Sequence, residues 1–407
     1  MYRIHIYGNP SVPTTTDLIC DAFTQTAYKY GKAFKELGHY VIMYGTEEFS
    51  EEFVCDKFIS INVLEDFISK GNIDINKENF TKRKLIEKYS RGSYLSNMID
   101  KLEWVEKLKI IETSRNNLLL YLNENTIKKN DIFLFFWDMH NKDAYTKIET
   151  LGGIVIEGLC QYGTPYQTCR FNRAVFASFS ELHKRHKIQQ FYSKHHTVIP
   201  PFFDSNEFTY SEVKQNVYLY LGRIQEYKGF GIIIQLAKKF PDKTFWVAGE
   251  AKTLVENGRN YLEYQKYDQK MEWLDLTEIP NLIYKGLADR YLRRQLLSQA
   301  SVLIQPSMYD EPFGWNIIEA NLSGTPVVTS NRGAFLDTVK EDVNGYRIDP
   351  TSSWEDWRLV LEKAEKLSSL ECYNLSTKTY SIERIMSLYI KYIENIIQDK
   401  GDLFNIV

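Results

Sequence analysis

No apolar run in this 407-residue chain approaches the roughly 20 residues needed to cross a bilayer, so no transmembrane helix is expected. Cysteine is scarce. Cys20, Cys55, Cys160, Cys169 and Cys372 are odd in number and scattered, without Cys-x-x-Cys spacing, which excludes a disulfide framework or a zinc ribbon and fits reduced thiols in a cytoplasmic protein. Neither sign of charge is in excess: 50 Lys and Arg face 53 Asp and Glu, a net charge of -3, so nucleic acid is not an expected partner. The basic clusters at 82–84 and 184–187 read as solvated helix faces, with peripheral contact to an anionic membrane surface left open. There is no low-complexity tract and no internal repeat. The first residues, Met1-Tyr-Arg-Ile-His-Ile-Tyr7, lack the basic, apolar and small-residue regions of a signal peptide and read instead as a first strand.

What is present is an alternation of short apolar runs with longer helical stretches, the pattern of an α/β protein with mainly parallel sheets. In the first half, strands are expected over 3–7, 40–44, 58–62, 131–137, 153–156, 175–179 and 197–199. A helix over 23–37 is closed by Gly38, and 97–124 reads as one or two charged helices. Pro200-Pro201 opens a non-periodic segment to residue 208 that suits a linker. Strands then resume over 217–221, 245–248, 282–284, 302–304, 327–329 and 346–348, with helices between them. A last helix over 382–398 has one apolar face, Ile385, Leu388, Tyr389, Tyr392, Ile393 and Ile396.

Three loops of the second half follow strands and should lie together beyond the strands' carboxyl ends. The first runs from Gly222-Arg223 to Lys228-Gly229. Two cations bracketed by glycines could clamp a diphosphate, and on local evidence alone two solvated bases fit equally well. The second, Tyr284-Lys285-Gly286-Leu287-Ala288-Asp289, could let backbone meet a flat base, or be a simple strand-to-helix turn. The third, Asp310-Glu311-Pro312-Phe313-Gly314-Trp315, leads into a helix carrying Glu319 and Ala320. A turn at a helix start presents free N–H groups to an anion, and Glu311 and Glu319 offer a carboxylate to each end of an elongated ligand.

The combination of Gly222-Arg223, Lys228-Gly229, Glu311-Pro312-Phe313-Gly314 and Glu319-Ala320 resembles the signature of the retaining GT-B glycosyltransferases that carry an E-x7-E motif. Residues 324–330 and 344–348 are similar to later turns and strands of that family's donor domain. The resemblance is strong over 217–350 and weaker over 1–205, where it rests on element order and on Gly38-His39-Tyr40-Val41. It implies two Rossmann-like domains facing a cleft: an acceptor domain over 1–205, a donor domain over 206–375, and 376–407 packing back on the first domain.

The same resemblance implies hexosyl transfer from a UDP- or GDP-sugar to an acceptor hydroxyl with retention of configuration, the acceptor being a glycan or a lipid-linked or protein-linked sugar. Arg223 and Lys228 would hold the diphosphate and stabilise the leaving group. Glu311, with the N–H groups of Phe313, Gly314 and Trp315, would orient the sugar. Glu319 would accept from the ribose hydroxyls, and Gly286 and Leu287 would meet the base. His140, in Trp137-Asp138-Met139-His140-Asn141, takes the family's histidine place near the reacting sugar. Two fixed cations can replace a divalent ion and the chain has no Asp-x-Asp sequence, so no metal and no cofactor beyond the donor is expected. The loop from Gly8 to Asp17 departs from the family's Gly-Gly loop. Two alternatives stay in view: an epimerase or phosphorylase of the same fold, and, consistent with that departure, a non-catalytic sugar-nucleotide or glycan-binding subunit.

Overall fold

The computed structural model describes residues 1–8, 22–45, 55–60, 116–123, 126–136, 142–160 and 172–399. They divide into two compact units. The first comprises Met1–Phe176, Arg185–Ile199 and Met386–Val407, and the second Ala177–Lys184 and Pro200–Ile385.

The first unit is built on a seven-stranded parallel sheet of β1 (Arg3–Tyr7), β2 (Tyr40–Gly45), β3 (Lys57–Ser60), β4 (Ile132–Phe135), β5 (Ile154–Cys160), β6 (Arg173–Phe176) and β7 (His195–Val198). Their order is β3-β2-β1-β4-β5-β6-β7. Helix α1 (Ala22–Glu36) links β1 to β2 and ends at Gly38, whose φ of +79° fits a residue without Cβ. A buried polar line crosses the sheet where its order reverses: His5 Nε2 meets Asp131 Oδ2 at 3.2 Å and its Nδ1 meets the Tyr44 hydroxyl at 2.8 Å. Helix α2 (Lys142–Thr150) follows β4, and α3 (Phe179–Gln189) precedes β7, its residues to Lys184 counted with the second unit.

The second unit repeats the plan with β8 (Val217–Leu221), α4 (Phe230–Lys239), β9 (Thr244–Ala248), β10 (Thr253–Glu256), β11 (Arg259–Gln265), β12 (Met271–Asp275), β13 (Leu282–Tyr284), α5 (Arg290–Gln299), β14 (Val302–Gln305), α6 (Trp315–Leu322), β15 (Val327–Ser330), α7 (Phe335–Thr338), β16 (Gly345–Ile348), α8 (Trp354–Ala364) and α9 (Ser369–Tyr380). Its main sheet is parallel in the order β13-β9-β8-β14-β15-β16. Residues of β8, β14 and β15 are buried throughout, which is why they appear as unbroken apolar runs. The order reverses between β8 and β14, and ligands of such sheets bind beyond the carboxyl ends of the strands at that point.

The sequence expectation of a helix between β9 and β13 is corrected: β10, β11 and β12 form a separate antiparallel sheet. Its signal was Asn257-Gly258, both at positive φ (50° and 76°), the pair that closes a two-residue hairpin. The segment after Pro200 is also no loose linker. Phe202 and Phe203 are buried, the Phe203 N–H donates to Tyr380 O at 2.8 Å, and its ring lies 5.2 Å from Trp315.

Helix α10 (Ile382–Ile397) buries the expected face, with Leu388 half-buried at its edge. Within the first unit Tyr389 packs edge-on against Tyr30 and Phe34, and the Tyr392 hydroxyl donates to His195 O at 2.7 Å.

In the second unit Lys214 joins the ends of α5 and α6. Its ammonium donates to Ser298 O and Ser323 O, both at 2.9 Å, and to Thr325 Oγ1 at 2.8 Å. A cation at two helix C-termini satisfies carbonyls that the helices leave open. Lys214→Met keeps the stem and removes the donors, and should cost about 2 kcal/mol of stability in urea denaturation. A change below about 0.5 kcal/mol, the size of an ordinary surface substitution, would show that the ammonium does not hold these ends.

Candidate donor site

The loop after β8 leaves the sheet because Leu221 O is taken by side chains from neighbouring elements, Gln305 Nε2 at 2.7 Å and Asn316 Nδ2. Gly222 N donates to Ala248 O at 3.0 Å, and the Tyr220 hydroxyl donates to Arg223 O at 2.6 Å. A short 3-10 turn, Glu226–Lys228, ends at Gly229 with φ +79°. A Cβ there would stand 2.1 Å from Pro306 O. Glycine therefore lets the loop after β8 touch the backbone after β14, and Met308 N donating to Tyr227 O at 2.8 Å completes the join.

This join brings Lys228 to Glu311. The Lys228 ammonium donates to Glu311 Oε1 at 2.6 Å and to the Tyr309 hydroxyl, and it lies 4.8 Å from the Tyr309 ring centre. The Ser307 hydroxyl, itself buried, donates to the same carboxylate oxygen at 2.7 Å. The two side chains are only 16% and 7% exposed. Burial holds the Lys228 ammonium below the usual lysine range, the Glu311 carboxylate opposes that shift, and the Arg223 charge adds to it. Arg223 is exposed, and its guanidinium has no partner among the described residues.

The Glu311 loop is held from the other side by the turn before α7. Ala334 N donates to Glu311 O at 2.7 Å, and Gly333 has φ +58°. A Cβ on Gly333 would lie 2.3 Å from Glu311 N. The Ser178 hydroxyl donates to Pro312 O at 2.6 Å. Phe313 turns inward, 2% exposed, with ring centres 5.9 Å from Trp315 and 5.8 Å from Tyr380. It anchors the turn by burial, so only its backbone is left for a ligand. Gly314 at φ +83° caps α6. The N–H groups of Phe313, Gly314 and Trp315 have no acceptor among the described residues, and they lie at the positive end of the α6 dipole.

Glu319 belongs to a second cluster. Arg293 Nε donates to its Oε2 at 2.7 Å, Nη2 donates to the same oxygen, and Nη2 also reaches Asn316 Oδ1 at 2.9 Å. Gly286, at φ +86° with open space where a Cβ would stand, accepts from Gly249 N at 3.0 Å. Gly249 in turn has no room for a Cβ, which would lie 1.9 Å from Gly222 O. The turns after β8, β9 and β13 thus meet backbone to backbone, with Leu287 41% exposed beside them.

Of the residues singled out in the sequence, Lys228 and Glu311 are in direct contact. Arg223 shares the loop of Lys228, Glu319 lies one cluster away, and Gly286 and Leu287 close the far side. His140, Asp138, Asn141 and the stretch 9–17 lie outside the described residues, as do the side chains of Thr24 and Gln25. Arg293, Ser307, Tyr309, Gly249 and Gly333 were not singled out. Gly249 follows an apolar strand, as Gly222 does, and that signal was available. Arg293 pairs with a residue 26 positions away and had none.

The fold is that of the GT-B glycosyltransferases. It is similar to a sucrose-phosphate synthase from Thermosynechococcus elongatus, with TM-score 0.62 and 14% identity, over 98% of this chain and all of that one (100%). It is also similar to Anabaena HepE in complex with UDP-glucose, with TM-score 0.57 and 13% identity, over 98% of this chain and 100% of that one. Residues 203–380 match the family model described as glycosyl transferases group 1. An uncharacterized glycosyltransferase of Methanocaldococcus jannaschii is 29% identical over 139 residues, 33% of this chain and 32% of the relative. The chain spans about a third or less of the length of the first curated relatives it matches.

Gly333→Ala should displace the Glu311 backbone and lower turnover with a verified donor by about 10²-fold, since small misplacements cost that much. Gly258→Ala, at a similar φ of +76° but with nothing within 4 Å of the added Cβ, carries the backbone strain without the collision. It should leave turnover unchanged; equal losses in both variants would mean the Gly333 contact does not set the Glu311 position.

Proposed function

We propose that this protein transfers a hexosyl group from a nucleoside diphosphate sugar to an acceptor hydroxyl, with retention at the anomeric carbon and without a metal. The observation that carries this reading is the Lys228–Glu311 contact, 2.6 Å, at the reversal point between β8 and β14, beside N–H groups at the start of α6 that have no acceptor among the described residues. Breaking the anomeric C–O bond places negative charge on the diphosphate and positive charge on the sugar ring. Lys228, held by Glu311 and Tyr309, and the exposed Arg223 on the same loop are cations for the first, joined by the α6 dipole. Glu311 supplies acceptor capacity for sugar hydroxyls and a negative charge for the second.

Glu319 is assigned to the ribose hydroxyls, the glycine-lined turns around Gly286 and Leu287 to the base, and His140 to the reacting sugar. HepE, similar in fold, is known in complex with UDP-glucose, which favours a uridine donor over a guanosine one. The acceptor class is a glycan or a lipid- or protein-linked sugar.

A thermal-shift panel of UDP, GDP and ADP with their hexose conjugates tests the donor, because ligand binding to the folded state alone raises its melting temperature. One nucleotide series should stabilise the protein. Arg223→Ala should then lower kcat by about 10²-fold with little change in nucleotide affinity. Product analysis separates the alternatives: turnover without acceptor indicates an epimerase, consumption of inorganic phosphate a phosphorylase, and binding without any turnover a non-catalytic subunit. Absence of stabilisation by every nucleotide overturns the reading.

A further inference from the structure

We propose that Arg293 is a positioning residue for the nucleotide ribose, presenting one oxygen of Glu319 to the ribose diol by fixing the other. The inference rests on the reading above that a nucleoside diphosphate sugar occupies this site with Glu319 at its ribose, and it concerns a residue that reading does not use.

Three arginines lie close together on α5, and they behave differently. Arg290 sits 3.6 Å from Glu207 and is 55% exposed, and Arg294 reaches Asn206 O at 3.2 Å. Both are outward contacts of little consequence. Arg293 turns the other way, to α6, where its side chain is 31% and that of Glu319 13% exposed.

An arginine whose only task is to tie two helices gains most from the forked arrangement, one N–H to each carboxylate oxygen. Arg293 does not adopt it. Nε and Nη2 both donate to Oε2, and Oε1 has no partner among the described residues. The second Nη2 contact, to Asn316 Oδ1 at 2.9 Å, fixes the plane of the guanidinium. Asn316 is itself held by its donation to Leu221 O, the last carbonyl of β8 before Gly222 and Arg223. A chain of contacts therefore runs from the end of β8 through Asn316 and Arg293 to one carboxylate oxygen.

Two consequences follow from the chemistry. A carboxylate held through one oxygen keeps the lone pairs of the other for ligand donors, and two adjacent hydroxyls are a matched pair for them. The guanidinium also offsets the Glu319 charge, which would otherwise repel the diphosphate of the same ligand, and it does so without entering the diphosphate's own contacts.

A cycle of calorimetric titrations on the full chain tests this. The ligands are UDP, 2′-deoxy-UDP and 3′-deoxy-UDP, or the same set on whichever of UDP, GDP and ADP stabilises the wild type. The proteins are wild type, Arg293→Met and Glu319→Gln. The wild type should lose about tenfold or more on removal of either hydroxyl, because the carboxylate is then left unpaired. Arg293→Met should bind the intact nucleotide about tenfold more weakly, and its deoxy penalty should fall below about threefold, as in Glu319→Gln. Weakening of intact and deoxy ligands by equal factors in Arg293→Met would reduce Arg293 to a structural tie and overturn the inference. If Arg293→Met does not fold, Arg293→Lys keeps the charge and loses the planar fork. It too should show the smaller deoxy penalty, and a wild-type penalty there overturns the inference. Failure of every nucleotide to bind the wild type is a different result: it sinks the functional reading, and this inference with it.

Discussion

The second unit's site depends on placing a lysine and a glutamate together out of water. Taking two charges from solvent costs several kcal/mol per ion, and their attraction offsets this only with good geometry and further hydrogen bonds. Lys228 and Glu311 meet both conditions: a 2.6 Å contact, the Ser307 hydroxyl on the same oxygen, and Tyr309 on the ammonium. A well-packed apolar pair in the same place would hold the loops as well. Keeping charges there makes sense when a ligand will use them, the ammonium for phosphate oxygens and the carboxylate for sugar hydroxyls.

Backbone proximity makes that contact possible. The two side chains come from loops 83 residues apart in sequence, and the loops approach because Gly229 and Gly333 each stand where a Cβ would collide with backbone oxygen or nitrogen. Gly249 does the same between the turns after β8 and β9. Glycine gives up backbone entropy on folding, and these positions justify that cost by allowing contacts that no other residue permits. The cluster of Arg293, Asn316 and Glu319 is joined to the same strand end through Leu221 O, so both carboxylates of the site take their positions from the end of β8.

Much of this was legible beforehand for a physical reason. Strands β8, β14 and β15 are buried on both faces, so they appear as plain apolar runs, and the charged or glycine-rich residues that follow them are necessarily at their carboxyl ends. The motif around Glu311 and Glu319 was local enough to be read from one segment. What was missed is non-local or ambiguous. The antiparallel insert β10 to β12 lay under an expectation of regular alternation, although Asn257-Gly258 marked its hairpin. Phe313, expected to offer its backbone N–H to the ligand, also turns its ring into the core against Tyr380, a contact spanning 67 positions (380 minus 313) that no local pattern encodes. Arg293 looked like its surface neighbours Arg290 and Arg294, since only the tertiary structure decides which of the three turns toward α6.

The central claim is that one buried contact serves two parts of one ligand, and paired titrations of UDP and UDP-glucose test it most directly. In Lys228→Met both ligands should bind at least about tenfold more weakly, as expected when a charged hydrogen-bond donor is lost. In Glu311→Gln, UDP-glucose should weaken by a similar factor while UDP binds as well as before or better, because the lysine is released from its partner. Equal weakening of both ligands in Glu311→Gln, or wild-type affinity in Lys228→Met, would contradict the account.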